Sequence, residues 1–523
     1  MAWLHAWSGL VVGWVLFAVF ATGTASYYRP EITRWMQPEL SAGPGLDGGD
    51  IGQDIGHAAM GHEAIAASVD HAVAYLQSHA RAARAWFVTP PRPGRPVVEL
   101  FWRNPPGTAP GHVLLDPRTG APARVRDTLG GDFLTQFHFE LHMAPLWGRW
   151  IVGICAMIML VALLSGIVTH RRILADLFTF RPGKAPRRSW LDAHNVAGVL
   201  ALPYHLMITY TGLAVLGPTY MPWGVRAAYE GDAQALYAES GQIVRPRPPA
   251  GRPGTLAPVG PMVRQALAAF PRPLERVAIR NPQDANATVV ALFEAPRGLS
   301  QEHSQIAFDG VSGRLLETSR GDLKPATRTF AALVGLHEAH FDGTALRVLF
   351  FLCGVMGCAM VATGLVLWSV ARLPPSGGRP AFGLRLVRAL TVGGVAGLSG
   401  AIAAYFLANR LLPVDLAGRA EWEIRIVFAV WIALALLPLV RPPRRAWCDG
   451  LAAASILWLA VVAADILTLP GHPLRRWGGD ALFVWFDGAM LTLAILFALA
   501  ARTVAGRARP SRPSIEPSTA GGR

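Results

Sequence analysis

The sequence predicts a polytopic α-helical membrane protein. Its core is a duplicated helix, module, helix unit giving four spans, with four extra C-terminal spans and two small α+β extracytoplasmic modules. Three observations predict this. Hydrophobic residues make up 52% of the chain and charged residues 16%, a balance that suits a membrane protein and no ordinary soluble domain. Eight apolar runs have about the 17–25 residues a bilayer crossing needs. Two stretches also match without a gap: His5, Gly9 and Thr22-Gly23 recur as His194, Gly198 and Thr211-Gly212.

In order, the expected organisation is a first span within 1–28 and a module over 29–145. A second span follows over 146–170, a basic connection over 171–193 and a third span over 194–217. Then come a second module over 218–344, a fourth span over 345–370 and a connection over 371–390. Four further spans fall within 391–501, as runs 391–409, 424–440, 446–469 and 481–501, before a tail over 502–523. The first run is too long for a signal peptide, lacks a basic leader and carries the histidine that recurs at 194, so it reads as a retained helix.

The net charge of +14 does not indicate nucleic acid as a partner, because the basic residues cluster between apolar runs. Arg171, Arg172, Arg181, Lys184, Arg187 and Arg188 precede the third span. Arg372, Arg379, Arg385 and Arg388 follow the fourth, and Arg441, Arg444 and Arg445 follow the sixth. These connections and the tail share one side of the membrane if both termini are cytoplasmic. Both modules are therefore expected outside the cytoplasm, with lipid as the surroundings of the spans. The four cysteines (Cys155, Cys353, Cys358, Cys448) lie in or at the start of apolar runs, so a disulfide framework is not expected.

Within the first module the pattern reads as a helix over 62–79 and strands near 84–89, 97–102 and 112–116. The second reads as a helix over 259–269 and strands near 275–280, 287–294 and 304–309. The aromatic and β-branched runs carry the strand readings, and each last strand ends in an Asp-to-Gly turn, at Asp116–Gly120 and Asp309–Gly313. The duplication continues beyond the modules. Leu141-His142 and Leu336-His337 precede the second and fourth spans, and Arg149 and Arg347 each stand 17 residues before Gly166 and Gly364. Parallel repeats imply a pseudo-twofold axis along the membrane normal.

The duplication sorts the histidines by depth. His5 and His194 fall at the cytoplasmic ends of spans one and three, His142 and His337 at the external ends of spans two and four. Twofold symmetry sets each pair face to face, at levels separated by about 30 Å at most. Facing imidazoles at two depths suit bis-histidine haem b, two groups in all, with Gly9 and Gly198 as small residues beside the ligands. The bland alternative for any single one is a solvated interfacial histidine. Recurrence in register weighs against it for the four.

His205 and His170 break the symmetry. His205 is either a ligand of the outer haem or a group behind one, and His170 either an interfacial residue or an inner ligand. His138 and His340 flank the outer pair as possible replacements. His57, Met60, His62, His71 and His79 lack a tight copper motif, and His472 reads as a loop residue. No nucleotide cofactor motif appears and no catalytic residue is identified, so electrons come from a quinol or another membrane donor.

The segments around Leu4-His5, Leu141-His142, Gly166 to Arg172, Asp192 to His205 and Leu336-His337 resemble the PepSY-associated transmembrane family over roughly 1–370, and the two modules look like PepSY domains. The resemblance implies an inner-membrane ferric-siderophore reductase with one haem near each face, acting on a ferric siderophore or other ferric chelate. The alternatives are a PepSY regulator or peptidase-modulating protein without redox activity, and an iron or haem transport component. The four extra spans depart from the family pattern.

Overall fold

A computed structural model describes residues 1–41, 60–169, 181, 186–296, 298–341, 343–374, 379–469, 472, 474 and 480–506. The chain divides into two units. The first holds residues 1–371 with the segments 413–420 and 469–482.

In chain order the first unit begins with α1 (Ala2–Ser26) and α2 (Arg29–Met36). It continues with α3 (His62–His79), β1 (Ala85–Thr89), β2 (Val98–Arg103), β3 (Gly111–Leu115), α4 (Gly131–Glu140) and α5 (Pro145–Thr169). Next come α6 (Pro186–Leu200) and α7 (Leu202–Val215), then the short helices α8 (Gly217–Tyr220), α9 (Trp223–Tyr229) and α10 (Ala233–Glu239). The second half closes with α11 (Val259–Ala269), β4 (Leu274–Arg280), β5 (Thr288–Phe293), β6 (Gln305–Asp309), β7 (Leu315–Ser319), α12 (Pro325–Glu338) and α13 (Thr344–Val370).

The duplication is visible in the packing. Helix α1 packs on α4 and α5, and the α6–α7 pair packs on their counterparts, α7 against α12 and α6 against α13. Contacts of α1 with α13 and of α7 with α5 join the halves. One expectation fails locally. The third span is not one continuous helix but a pair bent by 66° at Ala201. Pro203 lies at the second position of α7. It lacks the N–H an unbroken helix would need and disfavours helical geometry in the residue before it. Its repeat counterpart, Trp14, imposes neither constraint, and α1 runs unbroken.

The modules also differ from the expectation of two separate bodies. Their strands form one antiparallel seven-stranded sheet in the order β3-β2-β1-β4-β5-β6-β7. The seam is β1 against β4, with Ala85 opposite Arg280 and Trp86 opposite Ile279. Each half alone would leave a hydrophobic edge strand with unpaired backbone groups, and pairing the two edges removes both liabilities. Helices α3 and α11 pack together on one face of the sheet. Trp86, Leu100, Val277, Ile279, Phe293 and Phe308 form the core beneath them. Asp70 of α3 accepts a 2.7 Å hydrogen bond from the Gly260 amide in the first turn of α11, where that helix has an unsatisfied donor to offer.

The second unit contains the four remaining apolar helices: α14 (Phe382–Leu411), α15 (Arg419–Val440, whose first residues belong to the first unit), α16 (Pro443–Thr468) and α17 (Ala481–Gly506). The α14 helix starts nine residues before the apolar run at 391 and carries a π-bulge at Gly393–Gly397. Among the described residues, seven helices are long and apolar enough to cross a membrane, or eight with the bent pair counted as one span. The chain is a multi-pass membrane protein.

Candidate functional site: two imidazole pairs in the duplicated bundle

The far-end pair, at the end of the bundle where α1 begins, is built by symmetry-related contacts. His5 of α1 donates from Nδ1 to the Ala162 carbonyl of α5 at 2.8 Å. His194 of α6 donates from Nδ1 to the Met360 carbonyl of α13, also at 2.8 Å. A carbonyl can only accept, so both rings carry a proton on Nδ1, and in the neutral tautomer this leaves Nε2 as the lone-pair nitrogen. The ring centroids are 6.1 Å apart, with planes inclined at 63°. A Cβ at Gly166 would come within 3.1 Å of the His5 ring, and one at Gly364 within 3.0 Å of the His194 ring. These glycines make room for the imidazoles. A Cβ at Gly9 would meet no protein atom within 4 Å, and one at Gly198 would meet the Met360 side chain.

The module-end pair sits where α1 and α7 finish. Here the structure corrects the expected facing of His142 and His337. His138 of α4 is the residue across from His337 of α12, with centroids 5.9 Å apart and planes at 36°. His138 donates from Nδ1 to the Val19 carbonyl at 2.8 Å. His337 Nδ1 lies 3.0 Å from the Thr211 hydroxyl. That hydroxyl donates its single proton to the Met207 carbonyl at 2.8 Å, so it accepts from His337, and Nε2 is again the lone-pair nitrogen. Burial pushes both imidazoles down. His337 falls to about 4, through burial first and the neighbouring His138 second. Both rings are therefore neutral at ordinary pH, the form that ligates metal. The glycines of the repeated Thr-Gly dipeptides explain themselves here. A Cβ at Gly23 would lie 2.5 Å from the His138 ring, and one at Gly212 2.8 Å from the His337 ring.

His142 follows the C-terminus of α4 in a left-handed conformation, φ 53°, with its ring edge-on to Phe133 at 5.8 Å. The displacement has a geometric cause. His142 stands 7 residues before Arg149, whereas His337 stands 10 before Arg347, and His138 stands 11 before Arg149. The arginine register therefore matches His142 with His340 and brings His138 next to the position of His337. His340 Nε2 lies 2.8 Å from the Glu338 carboxylate.

His205 is fully buried in α7, edge-on to Phe20 at 5.9 Å. Its ring nitrogens face the backbone of Gly198 and Cys353 without a well-formed hydrogen bond. It joins neither pair. His170 and His57 lie outside the described residues. In α3, His71 bonds the Pro117 carbonyl and His79 the Tyr75 carbonyl.

Whole-chain comparison accounts for this architecture. The model of the PepSY-associated TM region family matches residues 2–371. The chain belongs to that family. It is also similar, at 28% identity over 407 residues, to a Pseudomonas aeruginosa protein described as uncharacterized, covering 75% of this chain and 98% of that one. The family match ends one residue past α13, so both imidazole pairs fall inside it and α14 to α17 fall outside.

Proposed function

We propose that this PepSY-family protein is a di-haem electron-transfer protein of the bacterial inner membrane that reduces a ferric chelate on the periplasmic side. The observation that carries the reading is the pair of centroid separations, 6.1 and 5.9 Å. Two imidazoles on opposite sides of one metal, with metal–nitrogen bonds of about 2.0–2.1 Å, place their centroids about 6 Å apart. The donor chemistry fits as well: four histidines, each oriented through Nδ1 and each backed by a glycine. Fixing the second ring nitrogen sets the tautomer and the ring orientation of a metal ligand. His5 with His194 would hold one haem b, and His138 with His337 the other. Haem would supply single-electron chemistry at each end of the bundle.

The chain's own residues do the rest. The Ala162, Met360 and Val19 carbonyls and the Thr211 hydroxyl hold the rings in one orientation. Helices α1 and α7 tie the two levels together. The basic connections at the far end favour a cytoplasmic position for it, which leaves the sheet on the periplasmic side. A quinol or another membrane donor would serve the far-end pair.

The test is a haem-to-protein ratio with a reduced-minus-oxidised spectrum, followed by reduction of a ferric chelate by the protein in liposomes. The expected ratio is two. A colourless protein purified after ample haem supply would refute the reading and favour a PepSY regulator or a carrier that leaves oxidation state unchanged.

A further inference from the structure

The face of the sheet opposite α3 and α11 carries a row of directly paired residues across its seam. Arg103 of β2, Ala85 of β1, Arg280 of β4, Thr288 of β5 and Asp309 of β6 are consecutive cross-strand partners. Such partners project to the same face. Ala85 is the small residue of the row, with an arginine on either side. Strands about 4.8 Å apart put the two arginine backbones about 10 Å from each other. The result is a cavity of about 410 Å³ whose lining includes Arg84, Arg103, Arg247 and Arg280.

These arginines are not equivalent. Arg247 is fully committed, to Asp309 at 2.8 Å, Thr288 at 3.2 Å and the Ala287 carbonyl at 2.6 Å. It forms one wall. The nearby Asp284 carboxylate is taken by the amides of Ala250, Gly251 and Asn286. Among the described residues, neither Arg84, Arg103 nor Arg280 pairs with a carboxylate. Arg103 leans on the Phe87 ring, 5.5 Å from its centroid. Burial, and then the charge of Arg103, pushes the Arg280 guanidinium down. Like charges gathered in one concavity without an internal counterion favour an anion there. The planar donor fork of arginine suits carboxylate oxygens taken two at a time.

We propose that this pocket captures the ferric substrate as an anionic chelate, binding it through its carboxylates with Arg84, Arg103 and Arg280. The inference rests on the reading of the protein as a ferric-chelate reductase and names the charge class of its substrate. The seam of the duplicated sheet then has a use beyond hiding two strand edges. There the two modules together place an arginine on either side of one small residue, Ala85.

The test titrates the full-length protein in detergent with gallium(III) citrate, a redox-inert complex that binds without electron transfer. Metal-free citrate and inorganic phosphate form separate arms. The expected result is saturable binding of the gallium complex, weakened at least tenfold by Arg103→Gln and by Arg280→Gln. Arg103→Lys, which keeps the charge and loses the fork, falls between. Arg264→Gln, on α11 and not lining the pocket, binds as the parent does. The proposal is overturned if the gallium complex fails to bind, or binds both glutamine variants as tightly as the parent. It is equally overturned if free citrate or phosphate binds as tightly as the gallium complex, which would assign the pocket to the free anion. Absorbance of the same samples keeps the two readings apart. Arginine-dependent binding to a colourless protein removes electron transfer and leaves the pocket, whereas a haem-loaded protein that ignores the gallium complex removes only the pocket.

Discussion

His138 and His337 face each other with ring centroids 5.9 Å apart, and each ring is seated by the helix of its own half of the repeat. His138 leans on Val19 and Gly23 of α1, His337 on Thr211 and Gly212 of α7. The far-end pair follows the same plan, His5 tied to α5 and His194 to α13. Each half builds one oriented imidazole per level, and the pseudo-twofold axis brings the two together.

The first prediction separates His138 from His142. If the module-end pair ligates haem, His138→Ala and His337→Ala each lower the haem-to-protein ratio from two to about one. His142→Ala, beyond the end of α4 and edge-on to Phe133, leaves the ratio at two. A pyridine haemochromogen assay on purified variants reads this. Loss of haem in the His142 variant with retention in the His138 variant would reverse the assignment.

A second prediction concerns the glycines. The Cβ positions at Gly23 and Gly212 come within 2.5 and 2.8 Å of the rings they face, closer than real contacts allow, and the rings are held by hydrogen bonds. Gly23→Val should therefore displace His138 and remove the module-end haem while leaving the far-end spectrum intact. Gly166→Ala has a milder clash, 3.1 Å, and should shift the far-end midpoint potential without emptying the site. Equal haem content and unchanged potentials in both variants would show that the glycines do not gate the imidazoles.

Much of this arrangement was legible in the sequence because the repeat is nearly gapless where it matters. The matched histidines and Thr-Gly dipeptides located α1 and the α6–α7 pair, and aromatic and β-branched runs located six of the seven strands. Four things were hidden. The bend at Ala201 comes from a proline without a counterpart in the first half. Helices α4 and α12 carry apolar faces in short segments that resemble loops between a sheet and a span. The His138–His337 pairing is masked by an insertion between histidine and arginine, 11 residues in one half and 10 in the other, so a local Leu-His match misleads where the longer arginine register does not. The joined sheet was invisible for a different reason. Each half satisfies its own strand pattern, and nothing in that pattern says which edge meets which.

Acid should weaken the sheet module in a defined window. Burial alone would raise Glu99, but the hydrogen bond from His112 and the charge of Arg95 outweigh it and hold the carboxyl down to about 2. Asp309 is likewise desolvated, yet the amide of Ser312 and Arg247 hold it down to about 2. A depressed folded-state value means that the stabilisation is complete above the ordinary carboxylate range and is lost as pH falls through the folded value. Thermal melts followed by tryptophan fluorescence should therefore decline between about pH 4.5 and pH 2. Arg247→Ala should cost about 1.5–3 kcal/mol at neutral pH, and its gap from the parent should narrow as pH approaches 2. A gap that stays constant across that window would show that the Asp309 charge contributes nothing.

In the C-terminal unit, Arg410 and Asp465 form an ion pair inside the helix bundle, both buried. Arg410 also donates to Asn409 at 2.8 Å, and Asn409 to Glu423 at 2.8 Å. Charges at such a depth are costly to hold, and each member of the pair offsets part of the other's desolvation, with Asp487 of α17 within 4.8 Å of Asp465. Removing one member should be far worse than removing both. Asp465→Ala removes the carboxylate that Arg410 contacts directly, and a cost of about 3–5 kcal/mol is expected. The double variant Arg410→Met with Asp465→Leu replaces the pair by apolar groups of similar reach and should recover most of that loss. Detergent-resistant folded fraction against temperature measures both. A double variant no more stable than the single one would mean that the two charges do not act as a pair and that the Asn409–Glu423 connection carries the packing of α14 against its neighbours.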